Sequence, residues 1–123
     1  PDYYLAKKLG GWGSGGLTLF DPRAYECYRR AFANPATIHA SCEDYRAAAS
    51  IDLAHDRDTP ARIACPLLVL WGERGVVARL FDPIADWRGV AANVQGHAIA
   101  SGHYLAEEAP DATLAALAPF LAG

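Results

Sequence analysis

The chain has 123 residues, of which 52% are hydrophobic and 20% charged, and this length and composition fit one globular domain at most. Its net charge of −3 argues against nucleic acid as a partner, because phosphate binding needs a clustered basic face. No stretch contains the roughly 20 consecutive apolar residues that a membrane span requires.

The chain has three cysteines, Cys27, Cys42 and Cys65. They are odd in number and show no CxxC spacing, which argues against a disulfide framework. A reducing compartment is therefore expected, and we predict a cytoplasmic protein.

The first part of the sequence predicts helices without strands. Pro1 to Leu9 has the apolar spacing of a short helix, and the glycine-rich stretch 10–16 is expected to break it as a flexible loop around Trp12. Asp21 followed by Pro22 predicts the start of the next helix, because Asp is a good N-cap and Pro is favoured at the first helical position.

This helix is expected to end at Asn34-Pro35, and another is expected over residues 36–49. The following stretch, Ile51 to Thr59, is interpreted as an exposed polar connector. It contains several possible metal ligands, but at these spacings they are more typical of a solvated face than of a metal site. These residues are Asp52, His55, Asp56 and Asp58.

After Pro60 the pattern changes to that of an α/β protein. The continuously apolar run from Ala64 to Gly72 predicts a strand buried on both faces of a parallel sheet. A short helix over residues 82–88, a weaker strand over 91–100 and a final helix over 107–121 are expected to follow.

Two strands alone do not make a stable buried sheet. The sequence also contains no methionine, and Pro1 opens what reads as a helix. We therefore expect the chain to be a piece of a longer protein whose other strands lie outside it.

His103 is the candidate catalytic residue. It follows a predicted strand in a turn of small residues, and ligand groups gather at the carboxyl ends of strands in open α/β sheets. A histidine placed there can act as a general base near neutral pH. Position alone leaves open that it is an ordinary surface histidine.

The residues that carry a resemblance lie in both halves. The run Cys65-Pro-Leu-Leu-Val-Leu-Trp-Gly-Glu73 and the segment from Ser101 to Pro110, with the pattern G-H-[FY]-x-x-E-E-x-P, resemble the end of an α/β-hydrolase. Together, Cys42-Glu-Asp-Tyr-Arg-Ala47 and Trp71-Gly-Glu-Arg-Gly-Val-Val77 narrow the resemblance to the haloacetate (fluoroacetate) dehalogenases. The resemblance implies the C-terminal part of that fold: a helical cap segment, residues 1–60, and the last two parallel strands and helices of the core, residues 61–123.

The resemblance also implies a reaction, the hydrolytic dehalogenation of haloacetate-type 2-haloacids in two steps. An aspartate displaces halide, and a water activated by a histidine then cleaves the resulting ester. By resemblance His103 is that base, Tyr45 donates a hydrogen bond to the halide, and Trp12 lies along the substrate path. The implied partners are a small haloacid and water, with no metal or other cofactor, and the family often forms homodimers.

Two further features bear on this resemblance. Gly75 occupies the position at which many α/β-hydrolases keep the acid that orients the histidine. The haloacetate dehalogenases carry that acid after strand six instead, upstream of this chain, so Gly75 is consistent with the narrower resemblance; Asp82 is a fallback for that role. No G-x-[DS]-x-G or D-R-G elbow for the attacking aspartate is found in the sequence. Two alternatives therefore stay open: an epoxide hydrolase-like enzyme, and a non-catalytic truncated remnant.

Overall fold

The computed structural model describes residues 1–59 and 61–123. The first range, here called the helical segment, contains four α-helices and a short 3-10 helix over residues 16–19. The second range, here called the α/β segment, contains two strands and four helices. The helices are α1 (Asp2–Trp12), α2 (Pro22–Phe32), α3 (Pro35–Ala48), α4 (Ile51–Asp58), α5 (Val76–Leu80), α6 (Pro83–Val90), α7 (Leu105–Glu108) and α8 (Pro110–Ala122), and the strands are β1 (Ile63–Gly72) and β2 (Ala91–Ile99).

The predicted N-cap of α2, Asp21, is confirmed, and Asn34, predicted only as the end of that helix, also caps α3. The Asp21 carboxylate accepts a hydrogen bond from the Arg23 amide at 2.8 Å, and the Asn34 side chain accepts one from the Ala36 amide at 3.0 Å. A proline follows each cap, where its missing N–H costs nothing. Local chemistry therefore sets the start of both helices.

The predicted break at Gly10 is wrong. Helix α1 continues through Gly10 and Gly11 and ends at Trp12. Glycine in a helix costs about 1 kcal/mol relative to alanine, which the helix tolerates here, and the Leu17 side chain packs beside Gly10 at 3.4 Å from where its Cβ would lie. As a result Trp12 lies in the last turn of a helix rather than in a flexible loop.

The polar stretch after α3 is not an irregular connector but helix α4. It contains neither glycine nor proline to break a helix, and its carboxylate and histidine side chains are exposed, as expected. Among the described residues, no group of three or more His, Cys, Asp and Glu side chains converges as a metal site would require.

The α/β segment forms the predicted parallel pair. In its register Leu67 lies beside Val94 and Trp71 beside Ala98, with α5 and α6 in the connection between the strands. Within residues 1–59 and 61–123 the sheet has only these two strands. The predicted boundary at Pro60 between the cap and core segments lies outside the described residues.

Burial of β1 is lower than predicted. Its second half is half-buried and Cys65 and Pro66 are exposed, because a two-stranded sheet leaves much of its surface uncovered. The final predicted helix is also two helices. The break is at Ala109, because the proline that follows disfavours helical backbone in the residue before it.

The buried apolar side chains that join the two segments are few. Phe20 is 5% exposed and packs its ring against Tyr28 at 6.2 Å and against Tyr104 at 5.3 Å between centroids. Through Tyr104 it connects the helical segment to the loop that carries His103. In the part of the chain that is described, no helix is both long and apolar enough to cross a membrane.

Candidate functional site

The loops that follow the two strands are tied together at the carboxyl end of the sheet. The Glu73 amide donates to the Ile99 carbonyl at 2.8 Å, and the Arg74 amide donates to the Ser101 carbonyl at 3.0 Å. The Arg74 guanidinium also donates to the Ala100 carbonyl at 3.0 Å. These bonds fix the backbone that leads into His103.

Two glycines permit this close approach. A Cβ on Gly72 would lie 1.6 Å from the carbonyl oxygen of Gly102. A Cβ on Gly102 would lie 2.6 Å from the Ser14 nitrogen and 2.8 Å from the Glu108 carboxylate. The small residue before His103 is therefore required by packing from both segments.

We call Gly102, His103 and Tyr104 the histidine loop, which is held by Glu108 at the end of α7. One of the Glu108 carboxylate oxygens, Oε2, accepts from the Gly102 amide at 2.7 Å and from the Ser14 amide at 3.1 Å. The Ser14 hydroxyl also donates to Oε2, and the Tyr104 amide donates to Oε1 at 3.1 Å. One carboxylate therefore takes four hydrogen bonds.

These bonds set the charge state of Glu108. Partial burial raises the pKa of its carboxyl, but hydrogen bonds from the Ser14 hydroxyl and from three backbone amides outweigh burial and hold the pKa below the ordinary value. Glu108 is therefore ionised at neutral pH, and it is the charged form that binds the loop.

His103 is half-buried and lies between two aromatic rings. Its ring centroid is 5.0 Å from that of Trp12, tilted at 55°, and 5.2 Å from that of Tyr104, edge to face. Among residues 1–59 and 61–123, no carboxylate forms a hydrogen bond with the His103 ring. Asp82, the fallback orienter, instead caps α6 by accepting from the Ala85 amide at 3.1 Å.

Lys8 supplies a positive charge beside these rings. Its Nζ lies 5.0 Å from the ring centroid of Tyr45, 5.6 Å from that of Trp12 and 5.7 Å from that of Tyr4, within the range of cation–π attraction. No carboxylate of the described residues lies within 4.0 Å of this ammonium. The two residues expected on the halide and substrate side thus share one cation.

Tyr104 joins the backbone of helix α1 at Lys8 to the histidine loop. Its hydroxyl donates to the Lys8 carbonyl at 3.1 Å, while its ring packs on His103. Burial raises the pKa of Tyr104, and nearby Tyr45 and Glu108 add to the effect. Tyr104 is therefore a neutral donor at physiological pH.

A second contact between the segments lies next to this site. The Tyr28 hydroxyl donates to the Glu107 carboxylate, and this hydrogen bond raises the pKa of Tyr28. Both residues line a mainly apolar cavity of about 340 Å³, which Leu5, Leu9, Phe20, Ala31, Phe32 and Tyr104 complete. Glu107 thus holds α2 of the helical segment against α7, whereas Glu108 holds the backbone around His103.

The structure brings together the three residues predicted for the site, but to different degrees. Trp12 contacts His103 directly. Tyr45 is 61% exposed and joins the group through Lys8. Sequence reasoning did not predict the parts that Glu108 and Lys8 play, although the Glu-Glu pair directly after the Gly-His turn was a usable signal for the former.

Comparison with known proteins shows which proteins this chain is similar to. No family model matches the chain. It is 38% identical over 122 residues to a fluoroacetate dehalogenase from a Burkholderia species, an alignment that covers 98% of the chain and 40% of that protein.

Solved structures agree with that relationship. A proposed α/β-hydrolase from Nostoc sp. PCC 7120 is 50% identical with a TM-score of 0.93, over 98% of this chain and 42% of that one. A proposed epoxide hydrolase from Pseudomonas aeruginosa is 44% identical with a TM-score of 0.80, over 98% of this chain and 40% of that one.

The chain has the fold of the C-terminal part of an α/β-hydrolase, as its helices, parallel strand pair and relatives all agree. Within that superfamily it is a homologue of fluoroacetate dehalogenase. It spans about 40% of the length of the relatives described here.

Proposed function

We propose that this chain is the C-terminal part of a hydrolase that removes halide from haloacetate-type 2-haloacids. The observation that carries the proposal is one arrangement: His103, at the carboxyl end of the sheet, packs on Trp12, and Trp12 shares the Lys8 cation with Tyr45. Homology to a fluoroacetate dehalogenase supports the substrate class.

In the proposed reaction an aspartate from outside this chain attacks the α-carbon of the haloacid. The carbon–halogen bond breaks, halide leaves with its electron pair, and an ester forms. His103 then takes a proton from water, and the hydroxide attacks the ester carbonyl. The 2-hydroxyacid leaves and the aspartate is regenerated, so water is the second substrate and no cofactor is consumed.

Tyr45 and Trp12 are assigned to the halide and substrate side. The Tyr45 hydroxyl is the proposed hydrogen-bond donor to the departing halide, whose charge develops in the transition state. Trp12 is the proposed wall of the substrate path, since it already contacts the base.

The charge of Lys8 favours an anionic substrate. An ammonium without a neighbouring carboxylate in the described part of the chain raises the local concentration of anions. Both a haloacetate and the released halide are anions, whereas an epoxide is neutral. The cation therefore supports dehalogenation over epoxide opening.

Epoxide hydrolysis remains the second candidate, supported by the Pseudomonas aeruginosa relative that is described as a proposed epoxide hydrolase. In that reaction Tyr45 would donate to the opening epoxide oxygen. A non-catalytic remnant is the third reading, since the proposed attacking aspartate is not part of this chain.

We further propose that the enzyme acts in the reducing cytoplasm, where exposed cysteines such as Cys27, Cys42 and Cys65 stay as free thiols. A homodimer is the proposed assembly of the full protein. Sedimentation of that protein tests the assembly.

The experiment that tests the function is halide release by the full protein that contains this chain. Purified protein is supplied with fluoroacetate, chloroacetate or styrene oxide, and fluoride, chloride and diol are measured. Halide release supports the proposal, and diol formation without halide release supports the epoxide hydrolase. If neither product forms, the remnant reading stands.

A further inference from the structure

We propose that Glu108 is a positioning residue that holds His103 and Trp12 in one fixed arrangement. This inference rests on the proposed function, because it gives His103 the role of base. Glu108 itself touches no reacting atom. Its effect passes through the backbone on either side of the histidine.

The first step of the argument is where the hydrogen bonds go. Glu108 accepts from the amides of Gly102 and Tyr104, which are the two residues that flank His103. The Tyr104 amide belongs to the peptide group that directly follows His103, and the Gly102 amide belongs to the Ser101–Gly102 peptide group, one residue before it. Glu108 therefore holds the backbone on both sides of His103 and restricts the direction in which its side chain leaves the chain. The imidazole can then rotate only about its own side-chain torsions.

The second step concerns the helical segment. The amide and the hydroxyl of Ser14 both donate to Oε2 of Glu108, across 94 positions of sequence. Ser14 follows Trp12 by two residues, and a Cβ on the intervening Gly13 would lie 3.2 Å from the Glu108 carboxylate. One side chain therefore ties the end of α1 to the histidine loop.

The third step is a comparison with the adjacent glutamate. Glu107 bonds to a single hydroxyl, that of Tyr28, and lines an apolar cavity whose lining does not include His103. Glu108 has the same chemistry and lies one position later, yet its bonds all converge around His103 and the turn after Trp12. Glu107→Gln is therefore a matched control for Glu108→Gln.

The test is pre-steady-state halide release by the full protein, in wild type, Glu108→Gln and Glu107→Gln. A displaced base slows hydrolysis of the ester but not its formation. Glu108→Gln should keep the initial burst of halide while the later steady rate falls by roughly 10- to 100-fold. Because only the second step slows, kcat and KM should fall together and kcat/KM should stay the same.

A structural role alone gives a different result. Loss of folded protein lowers the burst and the steady rate by the same factor, so that the rate per burst equivalent is unchanged. That outcome would overturn the inference, as would a Glu108→Gln enzyme with a normal steady rate or a Glu107→Gln enzyme with the same defect.

A second measurement does not depend on activity. Nuclear Overhauser contacts between the Trp12 and His103 rings should be present in wild type and in Glu107→Gln, and lost in Glu108→Gln. If these contacts persist in Glu108→Gln, the positioning role is wrong. A wild-type protein that shows the contacts but releases no halide instead contradicts the proposed function alone.

Discussion

The two sides of the candidate site are built in different ways. The histidine loop donates two amide hydrogen bonds to Glu108, and the same carboxylate accepts two more from Ser14 of the helical segment. Backbone bonds from the turn after β1 also hold the loop. On the other side, Tyr45 is largely exposed, and its described link to the site is the Lys8 ammonium. The proposed base, His103, is thus positioned within this chain, while the proposed halide side, at Tyr45, still has an open face.

This difference makes the two sides respond differently to substitution. Changes to the histidine loop should affect folding or the second chemical step, because the loop is closely packed. Changes at Tyr45 or Lys8 should leave the fold intact and alter how anions are bound or released. Each prediction below separates these two kinds of effect, starting with the largest.

The largest effect is expected from Gly102→Ala. The new Cβ would overlap the Ser14 amide and the Glu108 carboxylate, so the variant should lose about 1–3 kcal/mol of unfolding free energy. Urea denaturation of the full protein measures it. The control is Gly11→Ala. There the new Cβ would have no atom within 4 Å apart from its own helix backbone, and helix propensity favours alanine. Equal stability of the two variants would contradict the close packing.

Tyr45→Phe tests the open side. Fluoride is the poorest leaving group and depends most on a hydrogen-bond donor, so kcat with fluoroacetate should fall about tenfold. The loss with chloroacetate or bromoacetate should be smaller, and the melting temperature should not change. Equal losses with all three halides would mean that Tyr45 only packs against Lys8.

Lys8→Gln tests the charge. Removing this ammonium should raise KM for fluoroacetate about fivefold. That factor corresponds to the loss of about 1 kcal/mol of attraction between one positive charge near the protein surface and the substrate anion. The effect should shrink as salt is added, since salt screens the charge. Lys7→Gln is the control, because Lys7 lies over Tyr3 instead, at 6.0 Å. An equal rise in KM in both variants would mean that the net charge of the protein, and not the position of Lys8, attracts the substrate.

The smallest effect is a dependence of stability on pH. The pKa of Glu108 is lower in the folded state than its ordinary value, so its ionised form stabilises the fold. That contribution is fully present above the unfolded pKa of about 4.3 and is lost as the pH falls through the lower, folded value.

Denaturation of wild type and Glu108→Gln at about pH 6 and about pH 3 checks this prediction. The difference in unfolding free energy between the two proteins should be larger at the higher pH than at the lower. A difference that grows as the pH falls would contradict the assigned direction of the pKa.

Local signals predicted much of the fold. The Asp21-Pro22 helix start, the helix boundary at Asn34-Pro35 and the two strands depend on neighbouring residues, and all were confirmed. The continuation of α1 through Gly10 was missed because Leu17, in the next element, fills the space beside that glycine. The break at Ala109 was missed although the following proline signals it.

The site was less predictable because its contacts join residues that lie far apart in the sequence. The position of His103 followed from the strand before it, and the chemistry of Tyr45 and Trp12 from the family resemblance. The contact between Trp12 and His103, and the bonds from Ser14 to Glu108, join residues about ninety positions apart. No periodicity in the sequence encodes such a pairing, so only the folded chain reveals it.

The central claim is that His103 activates the water that cleaves a covalent ester. The most direct measurement is the intact mass of the full-length His103→Ala variant after incubation with fluoroacetate. We predict one equivalent of fluoride and a stable mass increase of one carboxymethyl group on the protein. Steady fluoride release with no adduct would contradict the claim, because another group would then be activating the water.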